Sequence, residues 1–146
     1  MKIKFTLNGK STVEELHPGL TLLEYLRRND HFGVKYGCDH GECGACTVII
    51  DDKSYNACLV LLHTLNNKSV ETIESLEKPG KLHPLQTRFI DEGAIQCGYC
   101  SPGMILSAAA LLRENANPED SEIKAALAGN LCRCTGYVKP LKAIKP

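Results

Sequence analysis

The sequence has no surplus of charge of either sign, no long apolar run, and no group of side chains arranged for acid–base or nucleophilic catalysis. Its 17 basic residues are matched by 17 acidic ones, so the formal charge is zero. A nucleic-acid binder needs a basic surplus to neutralise phosphates, and a membrane-surface protein needs a basic cluster; both classes are excluded. Nowhere do about 18 consecutive apolar residues mark a membrane span. The opening Met-Lys-Ile-Lys-Phe-Thr-Leu carries no apolar stretch or cleavage site of a secretory leader, so a cytoplasmic location is expected. Protein partners remain as the expected class, and no residue is expected to be catalytic.

What the chain does have is cysteine, eight in 146 residues. That length suits one domain or two small ones. In a reducing compartment clustered thiols hold metal more often than they form disulfides. Domains below roughly 80 residues also need staples, because a core alone supplies only a few kcal/mol. Bound metal would serve.

Three cysteines and three glycines fall within Gly37-Cys38-Asp39-His40-Gly41-Glu42-Cys43-Gly44-Ala45-Cys46, a stretch that reads as a metal-binding loop. The cysteines are separated by four residues and then two, and eleven residues lie between Cys46 and Cys58. This is the plant-type ferredoxin spacing for a [2Fe–2S] cluster. Thr47 to Asp51 reads as a strand, Asp52 and Lys53 as a turn, and the chain then runs back through Tyr55. A hairpin centred on Asp52 thus returns Cys58 beside Cys46. The loop glycines permit backbone angles that a Cβ forbids and leave amide N–H groups free to point at sulfur.

Taken in order, Ile3 to Leu7 reads as a strand, Asn8-Gly9 as a two-residue I′ turn, and Thr12 to Leu16 as the returning strand. Thr21 and Glu24 form a capping box for a helix running to about Asn29. After Cys58, Asn66-Asn67-Lys68 reads as a turn and Ser69 to Ile73 as a last strand, completing a small mixed sheet with one helix across it. Glu77-Lys78-Pro79-Gly80 reads as a linker, placing domains at residues 1–77 and 78–146. Four helices are expected beyond it. The first has Pro84 in its opening turn, buries a face of Leu85, Phe89 and Ile90, and stops at Gly93. The second takes Ser101 as N-cap and Pro102 as its first residue, runs to about Asn115, and uses Ala108 to Ala110 to let a neighbour pack closely. The third covers roughly Asp120 to Ala128 and ends at Gly129, and the fourth starts near Tyr137 with Pro140 in its first turn.

Cys97 and Cys100 then lie between the first two of these helices, and Cys132 and Cys134 between the last two, with 31 residues between the pairs. An outgoing helix of roughly 20 Å and a returning one of roughly 14 Å bring both pairs to one end of the bundle. Structural zinc sites favour Cys-x2–4-Cys knuckles over Cys-x-Cys, so iron–sulfur is favoured, while spacing alone leaves zinc open.

Three motifs carry a resemblance. Gly37 to Val48, then Gln96-Cys97-Gly98-Tyr99-Cys100-Ser101-Pro102-Gly103-Met104, then Gly129-Asn130-Leu131-Cys132-Arg133-Cys134-Thr135-Gly136-Tyr137 resemble the small iron–sulfur subunit of molybdenum hydroxylases, the xanthine oxidase family. The match accounts for all eight cysteines in order. It implies an α+β chain: an N-terminal β-grasp 2Fe–2S ferredoxin-like domain followed by an all-α four-helix [2Fe–2S]-binding domain. It implies metal ligation by Cys38, Cys43, Cys46 and Cys58 in the first and by Cys97, Cys100, Cys132 and Cys134 in the second. It also implies two partners, a large subunit carrying molybdenum on a molybdopterin cofactor and a medium subunit carrying FAD. Electrons would pass from molybdenum through the helical-domain cluster and the ferredoxin-domain cluster to FAD. Gln96 matches a family position that hydrogen-bonds the pterin, and Cys134 the ligand nearest it. The family usually continues the last helix beyond the point where Lys142 to Pro146 close this sequence.

Plainer readings apply to other residues. His40 lies between ligands whose four cysteines already complete a site, and is expected to be an exposed spectator. Lys139, Lys142 and Lys145 read as a solvated helix end whose charges suit the C-terminal dipole. Two other functions compete. A free-standing ferredoxin-like carrier would leave the last four cysteines unexplained, and a zinc-stapled interaction module would have no redox activity.

Overall fold

A computed structural model describes residues 2–15 and 17–145 of the chain. Strands β1 (Lys2–Leu7) and β2 (Lys10–Glu15) form the opening hairpin. Asn8 and Gly9 both have positive φ, as an I′ turn demands. Leu16, expected at the end of the second strand, and Pro146 lie outside the described residues. Helix α1 (Leu22–Arg28) begins at a complete capping box, with the Thr21 hydroxyl accepting from the Glu24 amide and the Glu24 carboxylate accepting from the Thr21 amide. Strands β3 (Thr47–Ile50), β4 (Lys53–Asn56) and β5 (Ser69–Glu71) complete a mixed sheet in the order β2-β1-β5-β3-β4, in which only the β1 and β5 pair is parallel. The β3–β4 turn falls on Asp51 and Asp52, one residue earlier than the sequence suggested. Both have positive φ, and Asp51 Oδ1 accepts from the Ser69 amide, so hydrogen bonding to β5 holds the turn there.

Strand β3 explains how two cores share one sheet. Val48 and Ile50 face α1 and pack with Ile3, Phe5, Leu22, Leu26 and Val70. Ile49 faces the other way and belongs to a second core with Leu85, Phe89, Met104 and Ile123. All four residues of β3 are therefore buried, which is why this strand reads as an unbroken apolar run. Each such side chain taken fully out of water stabilises the fold by about 2 kcal/mol.

The second core comes from α2 (Pro84–Asp91), α3 (Ser101–Glu114), α4 (Asp120–Leu127) and α5 (Val138–Ile144). The small residues Ala108, Ala109 and Ala110 are buried where α3 lies against β3 and β4. At the far end of α3, Arg113 makes a two-pronged contact with Glu71 at 2.8 and 2.9 Å and reaches Asp52 at 3.0 Å. The order expected for the α+β chain, sheet first and four helices second, is the one observed.

Two local expectations fail. Ser101 lies one residue inside α3 and makes no capping bond, because Cys100 takes the N-cap at the end of the cysteine turn. Ile90 is 56% exposed, since α2 buries only Leu85 and Phe89. The basic tail is solvated as expected, with Lys142 and Lys145 exposed, and it also pairs Lys142 with Glu92 at 2.9 Å and Lys145 with Asp120 at 2.8 Å, from α5 to the end of α2 and the start of α4. Among the described residues, no helix is long and apolar enough to cross a membrane.

Candidate metal centres

All eight cysteines are free thiols, four in the sheet-bearing part and four among the helices, and the structure brings members of each group beside one another. The first set is built by the loop that follows α1. Cys38 Sγ receives three backbone N–H donors, from His40 at 3.5 Å, Glu42 at 3.3 Å and Cys43 at 3.3 Å. Cys43 Sγ receives the Ala45 amide at 3.5 Å. The β3–β4 hairpin does what its spacing suggested. Thr47 pairs with Asn56, the Ala57 amide donates to the Cys46 carbonyl at 3.1 Å, and the Cys58 thiol meets that of Cys46. Cys43 lies near Cys38 on one side and Cys46 on the other.

The environments within this set differ. The His40 amide, with that of Cys43, holds the Cys38 thiol down to about 6, which favours thiolate near neutral pH. Burial pushes Cys46 up to about 12. The cost of an anion at that depth is offset only by bringing a cation to it. Cys46 and Cys58 are 3% and 6% exposed, so the inner side of the site is closed to water. The His40 side chain is exposed and only its amide faces sulfur.

The second set joins the α2–α3 turn to the α4–α5 turn. Cys100 faces Cys132, and Cys97 faces Cys134. The thiols come together because α3 runs out and α4 returns, as the helix lengths required. Side chains hold this set. Thr135 brings its hydroxyl to 3.0 Å and its amide to 3.4 Å from Cys132 Sγ. Burial works to raise the Cys132 thiol, but the Thr135 contacts outweigh it and hold it at about 7. Cys100 goes the other way: burial first, and then the facing Cys132, pushes it up to about 12. The facing Cys97 thiol raises Cys134. Cys97 and Cys134 are exposed, so this site opens to the surface. Gln96, also exposed, donates from Nε2 to the Cys134 carbonyl at 3.1 Å.

Among the described residues, no three His, Cys, Asp or Glu side chains converge as ligands of a single ion would. A [2Fe–2S] cluster takes two thiolates on each of its two irons, so its ligands need not converge on one point as those of a single tetrahedral ion do. The amides aimed at Cys38 and Cys43 are the outer hydrogen bonds such a cluster needs, and they fit an anionic group rather than a neutral thiol.

The two loops touch through residues that the motifs contain but to which the sequence assigned no role. The Leu131 amide donates to the Cys43 carbonyl at 2.9 Å, Asn130 Nδ2 donates to the Gly44 carbonyl at 3.2 Å, and the Tyr99 hydroxyl donates to the Tyr36 carbonyl. Tyr137 Oη accepts the Cys132 amide at 2.8 Å and donates to the Asn130 carbonyl at 3.0 Å. The available signal was position: each lies within three residues of a cysteine, on a polar group with no partner in its own turn.

Comparison with known proteins finds two iron–sulfur family models. Residues 5–73 match the family model of a 2Fe-2S iron-sulfur cluster binding domain, and residues 72–145 that of a [2Fe-2S] binding domain. The chain is 45% identical to the nicotinate dehydrogenase small FeS subunit of Eubacterium barkeri, over 98% of this chain and 92% of that one. It is 44% identical to a probable xanthine dehydrogenase subunit of Bacillus subtilis, over 93% of this chain and 79% of that one. Among solved structures, quinoline 2-oxidoreductase from Pseudomonas putida 86 superposes with a TM-score of 0.94 at 40% identity, over 99% of this chain and 90% of that one.

Proposed function

This chain belongs to the small [2Fe–2S] iron–sulfur subunits of the molybdenum hydroxylases, and on that premise we propose which residues hold its clusters and which partners it joins. Cys38, Cys43, Cys46 and Cys58 hold one [2Fe–2S] cluster, and Cys97, Cys100, Cys132 and Cys134 hold the other. The division between the units that carry them falls at residues 77 and 78. Each cluster, when bound, takes up and releases one electron, so the subunit relays electrons without transforming a substrate itself. What supports the reading is that the two cysteine loops, each with hydrogen-bond donors on sulfur, are joined directly by the Leu131 amide on the Cys43 carbonyl.

The partners follow from the exposed side of each site. A large subunit carrying molybdenum on molybdopterin covers Cys97 and Cys134, whose thiols are open to water. Gln96 and Cys134 meet the pterin there. The Gln96 carboxamide already has its Nε2 on the Cys134 carbonyl, leaving its Oε1 free to accept from a ligand. A medium subunit carrying FAD takes electrons from the side of the first cluster, so the direction is molybdenum, helical site, ferredoxin-like site, flavin. The complex works in the cytoplasm.

Metal analysis tests the ligand assignment. The purified chain should hold about four iron and four acid-labile sulfide and show two distinct EPR signals on reduction. Iron near two per chain rejects the two-cluster reading, and a colourless protein holding zinc supports an interaction module instead.

A further inference from the structure

We propose that Asn130 is a positioning residue that sets the separation of the two clusters and so the ease with which an electron passes between them; this rests on the ligand assignment above. Asn130 is 3% exposed, and both ends of its carboxamide are engaged. Nδ2 donates to the Gly44 carbonyl and to the Thr47 hydroxyl, each at 3.2 Å, and Oδ1 accepts from Ser107 Oγ at 2.8 Å. One side chain thus binds the first cysteine loop, the start of β3 and the middle of α3. Its main chain completes the junction. The Asn130 carbonyl accepts from Tyr137 Oη, which holds the Cys132 amide, and the next amide, Leu131 N–H, donates to the Cys43 carbonyl.

The short connection makes the geometry sensitive. Gly44 follows Cys43 directly, and Cys132 lies two residues beyond Asn130, so displacement at Asn130 moves a ligand of each set. There is no slack to absorb it. A Cβ at Gly44 would overlap the Gly129 carbonyl and the Asn130 carboxamide, so the two backbones already touch. A buried network with every polar atom satisfied also admits few alternative arrangements, since any other leaves a donor or acceptor unpaired in a dry site. Asparagine suits the position because it donates and accepts at once. Aspartate keeps the shape but turns an acceptor towards the Gly44 carbonyl. Electron exchange across this junction oxidises one cluster as it reduces the other, and it makes or breaks no bond at Asn130.

The test is spin–spin splitting between the two clusters in the full chain, loaded with iron and sulfide and fully reduced by dithionite, because that splitting falls with the inverse cube of separation. Iron content and thermal unfolding are measured beside it. Wild type should hold about four irons and show resolved splitting. Asn130→Asp, at the same iron content, should lose part of the splitting and broaden what remains. A purely structural role would lower the unfolding temperature and leave the splitting of fully loaded molecules unchanged, and that result overturns the proposal. If Asn130→Asp fails to load, Ser107→Ala decides. It removes only the anchor of Oδ1 and should give a smaller loss in the same direction, whereas unchanged splitting again overturns the positioning role. Wild type with two irons or no second signal would instead overturn the ligand assignment, and the proposal with it.

Discussion

Around Cys38 and Cys43 the sulfurs are held by main-chain amides alone, whereas Cys132 receives both the amide and the side-chain hydroxyl of Thr135, in a turn propped by Tyr137. The first arrangement closes its inner side with Cys46 and Cys58 under the sheet; the second leaves Cys97 and Cys134 at the surface. A loop that supplies its own donors can complete a site without help. A site open on one side needs another surface to shield it, and exposure here separates the two functions better than ligand count does.

The sharpest break in this comparison comes from removing one ligand at each site in the assembled complex. With Cys43→Ala, substrate should still reduce molybdenum and the helical-site cluster while flavin reduction is lost; with Cys100→Ala, reduction should stop at molybdenum. Rapid-mix EPR beside flavin absorbance reads the difference, after iron content and partner retention are checked, because metal binding and folding are coupled in small domains. A normal flavin rate with Cys43→Ala would mean that the ferredoxin-like site is off the main path.

Alkylation of the metal-free chain sharpens the contrast within each set. Near neutral pH, Cys38 and Cys132, held near 6 and 7, are substantially thiolate and should label first. Cys46 and Cys100, protonated until about 12, should label last. Labelling at Cys38 should fall as pH drops through about 6, where its thiolate is lost. Equal rates at Cys38 and Cys46 by mass spectrometry would show that the amide cradle does not survive without metal.

Two glycines with the same backbone sign should behave differently. Gly44 and Gly136 both have positive φ, but only at Gly44 would a Cβ strike the opposite loop. Gly44→Ala should cost about 3 kcal/mol or more, summing overpacking and left-handed strain, and Gly136→Ala about 1 kcal/mol. Denaturant unfolding of the iron-loaded chain measures both. A loss as small as that at Gly136 is expected from Tyr99→Phe, which removes one hydrogen bond between the loops and should cost about 1 kcal/mol by the same measurement.

The parts legible in the sequence were those in which one residue type enforces one geometry. Asn8-Gly9 required an I′ turn, Thr21 with Glu24 required a cap, and the spacing from Cys46 to Cys58 matched a hairpin return. Helix ends at Gly93 and Asn115 followed in the same way. Ser101 misled because capping preference is local, while the turn that gathers Cys97 and Cys100 moves the helix start back by one residue. Asn130 was invisible for another reason. Its partners Gly44, Thr47 and Ser107 are distant in sequence, and nothing in an isolated Asn after a helix says that a loop some eighty-six residues away will meet it. Lys142 and Lys145 likewise find Glu92 and Asp120 only after the helices pack.

Because β3 contributes to both cores, the chain cannot be divided cleanly even where its order suggests a seam. A fragment released at the Glu77–Gly80 turn would retain every strand, yet Ile49, with Ile73 and Leu76 beside the place α3 occupies, would face water as an apolar strip. Strips of that kind make separated polypeptides adhere to one another. Anyone transplanting the ferredoxin-like half into another protein would have to supply a substitute for α3 or change Ile49 to a polar residue.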